Sequence, residues 1–204
     1  DKGELYLDEE RISIFSSMIL SGRPIFSKGT THMSIIDREG NAASMTISNG
    51  EGSGYYVPKT GIMLNNMLGE DDLHPHGFHT LKPGIRVSSM MSPTFIKKGD
   101  ELFCVIGSGG SKRIKTALLQ VIVNMLELSM PLHSAIESPR IHLDDNRILQ
   151  IEPGIDDIVI ETLKRYYKIN CWKEKNMYFG GVNAVTSTGD GWADSRRGGA
   201  FLIL

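Results

Sequence analysis

The sequence predicts a mixed α and β layered domain of the α+β class, and three observations carry that reading. One segment has a clean helical stripe. Several short apolar and β-branched runs pair across tight turns. Few helices interrupt them, and the hairpins favour antiparallel pairing over a parallel sheet. The stripe lies in "SKRIKTALLQVIVNMLELSM", where apolar residues occupy 114, 117, 118, 121, 122, 125 and 126. That i, i+3, i+4, i+7 spacing is the face of a helix packed on a sheet, ending before Pro131.

The other elements follow in chain order. Residues 8–20 read as a short helix ending at Gly22 and Pro24. Residues 32–38 and 41–48 read as a hairpin around Glu39-Gly40. "NGEGSG" at 49–54 is a loop, and 65–88 is a long irregular stretch punctuated by Pro75 and Pro83. A stretch of that length in a compact domain is usually functional or covers something. Strands are expected at 93–97 and 101–106 around "KKGD", a short helix near 132–138, and strands at 140–144 and 148–152. A helix from about 156 to 167 has Asp156 as its N-cap, and strands at 183–188 and 200–204 close the chain.

Bulk properties exclude several function classes. A length of 204 residues supports one sizeable core or one large piece of a bigger protein. The net charge of −2 points to no nucleic-acid partner and no anionic membrane surface. No apolar run approaches 18 residues, so no membrane span is expected. The opening "DKGELYLDEER" is charged and lacks an apolar signal core. Cys104 lies in the apolar run "ELFCVIG" and reads as buried. Nothing places it beside Cys171, so neither a disulfide nor a compartment follows.

Four stretches carry chemistry. "FCVIGSGGSKRI" is a strand, a glycine-rich turn at 107–111 and a helix. Such a turn can cradle a phosphate or an acyl-transfer oxyanion, or it can be a tight connection only. It matches neither the Walker A nor the dinucleotide-binding spacing. Ser88 and Ser89 close the long loop, where hydroxyls can bind a carboxylate or simply shape the turn before Pro93. His74, His76 and His79 fall within six residues beside Glu70, Asp71 and Asp72. Zinc is one reading of that cluster, but it lacks helical H-x-x-x-H spacing. Finally, Thr30 opens a strand after Gly29. Its hydroxyl needs a base, and a freed α-amine with a pKa near 8 would serve. That requires the Gly29–Thr30 bond to be cut. Otherwise Thr30 and Thr31 are ordinary β-favouring residues.

Taken together, "TTHMSIIDREGNAASMTIS", "TGIMLNN", "SSMMSPT", "GSGGSKRI", "ESPRIH" and "DSRRGGA" resemble, in order, the γ-glutamyltransferase (γ-glutamyltranspeptidase) family. The resemblance implies an N-terminal nucleophile hydrolase, an αββα four-layer sandwich of which this chain supplies part. It makes 30–204 the small catalytic subunit and 1–29 the tail of a large subunit, separated by autocleavage at Gly29–Thr30. It implies Thr30 as nucleophile, Ser48 as the supporting hydroxyl, and Gly109 and Gly110 as the oxyanion glycines. Asn49 and Glu70 would hold the substrate's α-amino group, with Asp71 as the other choice of acid. Ser88 and Ser89 would hold its α-carboxylate, although alignment from Pro93 leaves Ser89 and Met90 at those positions.

The implied reaction is ping-pong transfer of a γ-glutamyl group from glutathione or a related amide to water or an amino acid, with no metal and no other cofactor. The partner is the large subunit of the same precursor, which in the family supplies an Arg to the site. This chain alone is therefore expected to lack a complete active site. Two alternatives share the resemblance: an acylase of glutaryl or cephalosporin type, and an unprocessed relative that is not an enzyme.

Overall fold

The computed structural model describes residues 29–203, so the expected helix over 8–20 lies outside the described residues. Among the described residues, nine strands and three α-helices follow in order. They are β1 (Thr30–Ile36), β2 (Ala42–Ser48), β3 (Thr94–Lys98), β4 (Glu101–Gly109), α1 (Ile114–Leu126), α2 (Leu132–Glu137), β5 (Ile141–Leu143), β6 (Ile148–Ile151), α3 (Asp157–Leu163), β7 (Lys168–Cys171), β8 (Gly181–Thr186) and β9 (Gly191–Ala193).

β1 and β2 form an antiparallel ribbon. Its turn is fixed by Asp37, whose carboxylate accepts from the Asn41 backbone and side-chain amides at 2.8 and 2.9 Å. Gly40 turns at φ +83°, which an L side chain rarely adopts. The turn sets the register, and the register sets Thr30 directly opposite Ser48. Alternation then decides the faces: Thr30, His32, Ser34 and Ile36 point inward, while Thr31, Met33 and Ile35 are exposed.

The inner face lies across a four-stranded antiparallel sheet of order β3-β4-β8-β9. Asn183 of β8 donates to the His32 carbonyl at 2.9 Å, tying the two layers. Behind the sheet pack α1 and α2. Their apolar stripe (Ile114, Ala117, Leu118, Val121, Met125) closes a core with Cys104, Ile106, Val182 and Ala184. Burying such side chains contributes about 1.5–3 kcal/mol each. Ribbon, sheet and helices are three successive layers, and the ribbon's outer face carries exposed Ile35, Met45 and Ile47.

Close approach of ribbon and sheet requires a glycine at 107. A methyl group there would sit inside the His32 ring. Gly107→Ala in the full-length protein is expected to lower unfolding free energy by about 2 kcal/mol, the scale of core overpacking, as read from denaturant melts.

Most expected elements form within one or two residues. Asp156 caps α3, its side chain accepting from the Ile158 amide. Three expectations need correction. No strand forms over the described part of 200–204; the sheet edge is β9, three residues that pair with β8. "GWA" is too short for any periodic signal, whereas the apolar tail "AFLIL" mimics one. β7, "KINC", was not expected, and it pairs parallel with β6 in a separate sheet of order β5-β6-β7. Pairing is therefore not wholly antiparallel; α3 supplies the crossover that parallel neighbours need.

Candidate active site

Thr30 begins β1 and Ser48 ends β2, and their hydroxyls meet at 2.9 Å. The Gly50 amide donates to the Ser48 hydroxyl at 3.0 Å, holding it toward Thr30. The Asn49 amide donates to the Gly29 carbonyl at 3.0 Å. Gly109 ends β4 on the other side of Thr30; a Cβ there would lie 2.8 Å from the Thr30 carbonyl oxygen. Gly110 follows at φ +140°, and a Cβ there would lie 2.7 Å from the Gly180 Cα. Both positions therefore require glycine, one for close approach and one for conformation as well. The next residue, Ser111, is held at φ +52°, a sparsely populated conformation for a side chain.

These elements border one cleft of about 120 Å³. Gly29, Thr30, Ser48, Glu70, Ser89 and Gly110 all line it, so residues scattered over most of the chain converge. Four other expected residues stand differently. Gly109 lies against the Thr30 carbonyl but is not among the lining groups. Asn49 takes part through its backbone, and its side chain is not among the lining groups. Ser88 is exposed and outside the lining, whereas Ser89, Met90 and Met91 are within it. Asp71 pairs with Lys112 at 3.4 Å, and it is Asp72 that lines the cleft, accepting from Ser111 at 2.6 Å.

The cleft walls carry opposite charge. Glu51, Glu70 and Asp72 line one part, Arg113 and Arg197 another. Burial, with the Asp72 charge next, raises the Glu70 pKa above the ordinary carboxylate range. A cation placed there would restore it.

Residues 12–204 match the family model described as Gamma-glutamyltranspeptidase. The chain belongs to the γ-glutamyltranspeptidase family. It is 32% identical over 178 residues to the glutathione hydrolase proenzyme of Bacillus subtilis, covering 85% of this chain and 30% of that protein. It is also 32% identical over 193 residues to the acylase ACY 1 proenzyme of Pseudomonas sp. strain SE83, covering 91% and 34%. The chain thus spans about a third of the length of these relatives. In structure it resembles the γ-glutamyltranspeptidase from Pseudomonas nitroreducens complexed with L-DON. The TM-score is 0.73 at 26% identity, covering 85% of this chain and 99% of that one. The fold is accordingly that of the family, an N-terminal nucleophile hydrolase of the α+β class.

Two family motifs gain a physical meaning here. "ESPRIH" and "DSRRGGA" supply Arg140, Asp194 and Arg196, which with Glu152 form a buried ion-pair network behind the site. Neither motif has a period, so their roles were not readable; the signal was only that both join Arg to an acid within a few residues.

The histidines do not gather. His74 donates from Nε2 to the Leu68 carbonyl at 2.8 Å, and its ring lies tilted beside Phe78. Among the described residues no three His, Cys, Asp or Glu side chains are placed to hold a metal. No described helix is long and apolar enough to cross a membrane.

His32 gives the site a pH limit. Buried on the ribbon's inner face against β4, it bonds Thr46 at 2.7 Å and Ser34 at 2.8 Å. Desolvation lowers its pKa from 6.5 to about 4. Between those values the unfolded chain binds the proton and the folded one does not. Stability is therefore expected to fall as pH drops from about 6.5 to 4, by up to about 3 kcal/mol, in melts of the full-length protein. His32→Gln, which cannot take up the proton, should flatten that part of the profile.

Proposed function

We propose that this chain carries the catalytic subunit of a γ-glutamyl hydrolase or transpeptidase acting on glutathione and related γ-glutamyl amides. Residues 30–204 are the small subunit, and 1–29 end the large subunit of the same precursor. The observation that carries the reading is the Thr30–Ser48 hydroxyl pair set in a cleft of opposed charges, as a zwitterionic substrate demands.

In maturation, the Thr30 hydroxyl attacks the Gly29 carbonyl, which the Asn49 amide polarises. The acyl group shifts from nitrogen to oxygen, and water hydrolyses the ester. Gly29 leaves as a carboxylate and Thr30 gains a free amine. In turnover that amine takes the hydroxyl proton, and Thr30 attacks the γ-amide. Backbone donors at Gly109 and Gly110 stabilise the oxyanion. The protonated leaving amine departs, and water or an amino-acid amine takes the acyl group. Glu70 receives the substrate's α-ammonium, and Ser89, the serine of the pair that lines the cleft, receives its α-carboxylate.

The similarity to an acylase proenzyme favours a second reading, a glutaryl-type acylase. A glutaryl group has no α-amine, so the acidic wall around Glu70 would face nothing. The processed full-length protein should therefore cleave γ-glutamyl 4-nitroanilide with kcat/KM at least tenfold above glutaryl 4-nitroanilide. Glu70→Gln should remove most of that preference. A wild-type preference for the glutaryl compound would establish the acylase instead.

A further inference from the structure

Arg197 is an unusual cation. Its side chain runs across Gly181, where a Cβ would lie 2.8 Å from the Arg197 Cγ. Its head reaches the oxyanion loop, within 3.5 Å of a Cβ at Gly109 and 3.7 Å of one at Gly110. Among the described residues its guanidinium takes part in no ion pair, and its Nε is fully buried without a partner. The residue as a whole is half-buried, and a partly desolvated guanidinium without a partner favours an anion in its fork.

Arg113 lines the same wall. Its Nε donates to the Tyr178 carbonyl at 2.9 Å, and its guanidinium rests over the Tyr178 ring at 4.8 Å. That leaves the outer nitrogens without a carboxylate among the described residues. The neighbouring cation is treated differently: Lys112 is neutralised by Asp145 at 2.6 Å and by Asp71. Burial, and then repulsion from Arg113, press the Arg197 pKa below its usual range, with Asp194 pulling it back. Two like charges held together beside a cleft imply an anion between them, and the planar fork of Arg suits a carboxylate.

The geometry points to a carboxylate subsite formed by Arg113 and Arg197 at the Gly110 wall, taking a carboxylate on the leaving-group side of the amide. This rests on the γ-glutamyl reading, in which Glu70 and Ser89 already accommodate the α-amine and α-carboxylate of the acyl part. The enzyme then prefers amides whose departing amine is itself an amino acid or peptide with a free carboxylate.

The test uses the processed full-length enzyme and two donors, γ-glutamyl 4-nitroanilide and γ-glutamyl 3-carboxy-4-nitroanilide. Arg197→Met keeps the stem over Gly181 and removes the charge; Arg113→Met does the same over Tyr178. Each should lower the ratio of kcat/KM, carboxylated over plain, at least tenfold, mostly through KM. Arg197→Glu should lower it further. Equal loss on both donors would overturn the subsite, because a merely structural or oxyanion role cannot sense the ring carboxylate. A wild type that cleaves neither donor refutes the γ-glutamyl reading instead. The subsite is then judged by calorimetric titration with glutarate. Tenfold weaker binding in Arg113→Met/Arg197→Met supports it, and unchanged binding overturns it.

Discussion

Replacing Thr30 with alanine in the full-length precursor is expected to abolish both chain cleavage and amide turnover. No chain beginning at residue 30 should be found by mass spectrometry after prolonged incubation. Activity should fall by a factor on the order of 10⁴ or more, the loss typical of removing a covalent nucleophile. The expectation rests on position. Thr30 is where β1 begins, opposite Ser48, beside the Gly109 backbone and at the edge of the cleft. Among the described residues no other hydroxyl lining the cleft combines these contacts: Ser48 is not among the groups closest to Gly109, Ser111 is bound to Asp72, and Ser89 is exposed. Thr30→Ser should retain cleavage at a reduced rate, because it keeps the hydroxyl. Ser48→Ala should fall between, slowing both steps by roughly 10- to 100-fold, since it removes a positioning bond to the nucleophile and not the nucleophile itself. Equal behaviour of Thr30→Ala and wild type would end the nucleophile assignment.

How much of this was legible depended on whether a local pattern carried it. The stripe from Ile114 to Met125 and the turn at Asp37–Asn41 announce themselves, because helix period and hairpin chemistry act over a few residues. The opposition of Thr30 and Ser48 follows from that turn, so the central pair of the site could be anticipated. The cleft's long-range partners could be named only through the family resemblance, since nothing local joins Glu70 or Ser89 to Thr30. Asn49 shows the limit of carrying over a residue by position: the backbone amide, not the side chain, touches the junction. The cationic wall escaped notice altogether. Arg113 sits on what sequence alone makes a polar helix edge, and Arg197 in a glycine-rich tail. Only the close approach of β8 to the Gly109–Gly110 loop brings them together. β7 and β9 were missed for the same reason: each is too short for a period, and tertiary pairing creates it.

The second large effect is expected at Asp194, which does not itself line the cleft. Its carboxylate is fully buried and binds Arg140 at 2.6 Å, Arg196 at 3.1 Å, the Arg196 amide at 3.0 Å and the Val182 amide at 2.9 Å. Glu152 completes the network, binding Arg196 at 2.6 Å and the Arg140 amide at 3.0 Å. Two guanidinium groups and two carboxylates thus balance in the interior. The arginines also donate to the carbonyls of Ile136, Ser138 and Phe179, which ties α2 and the end of the chain to β8. Asp194→Ala leaves two buried cations facing one carboxylate and strands the Val182 amide. Breaking a buried pair from one side costs about 3–5 kcal/mol, so the full-length protein should lose that much stability in denaturant melts. Asp194→Asn keeps the shape and part of the hydrogen bonding, and should cost less. A functional loss should accompany the structural one. The network anchors Phe179 just before Gly180, the residue against which Gly110 packs, and holds Arg196 next to Arg197. In Asp194→Asn, kcat is therefore expected to fall more than the folded fraction does, measured at a temperature where the variant remains folded. If activity simply tracks the folded fraction, the network stabilises the domain without positioning the oxyanion loop.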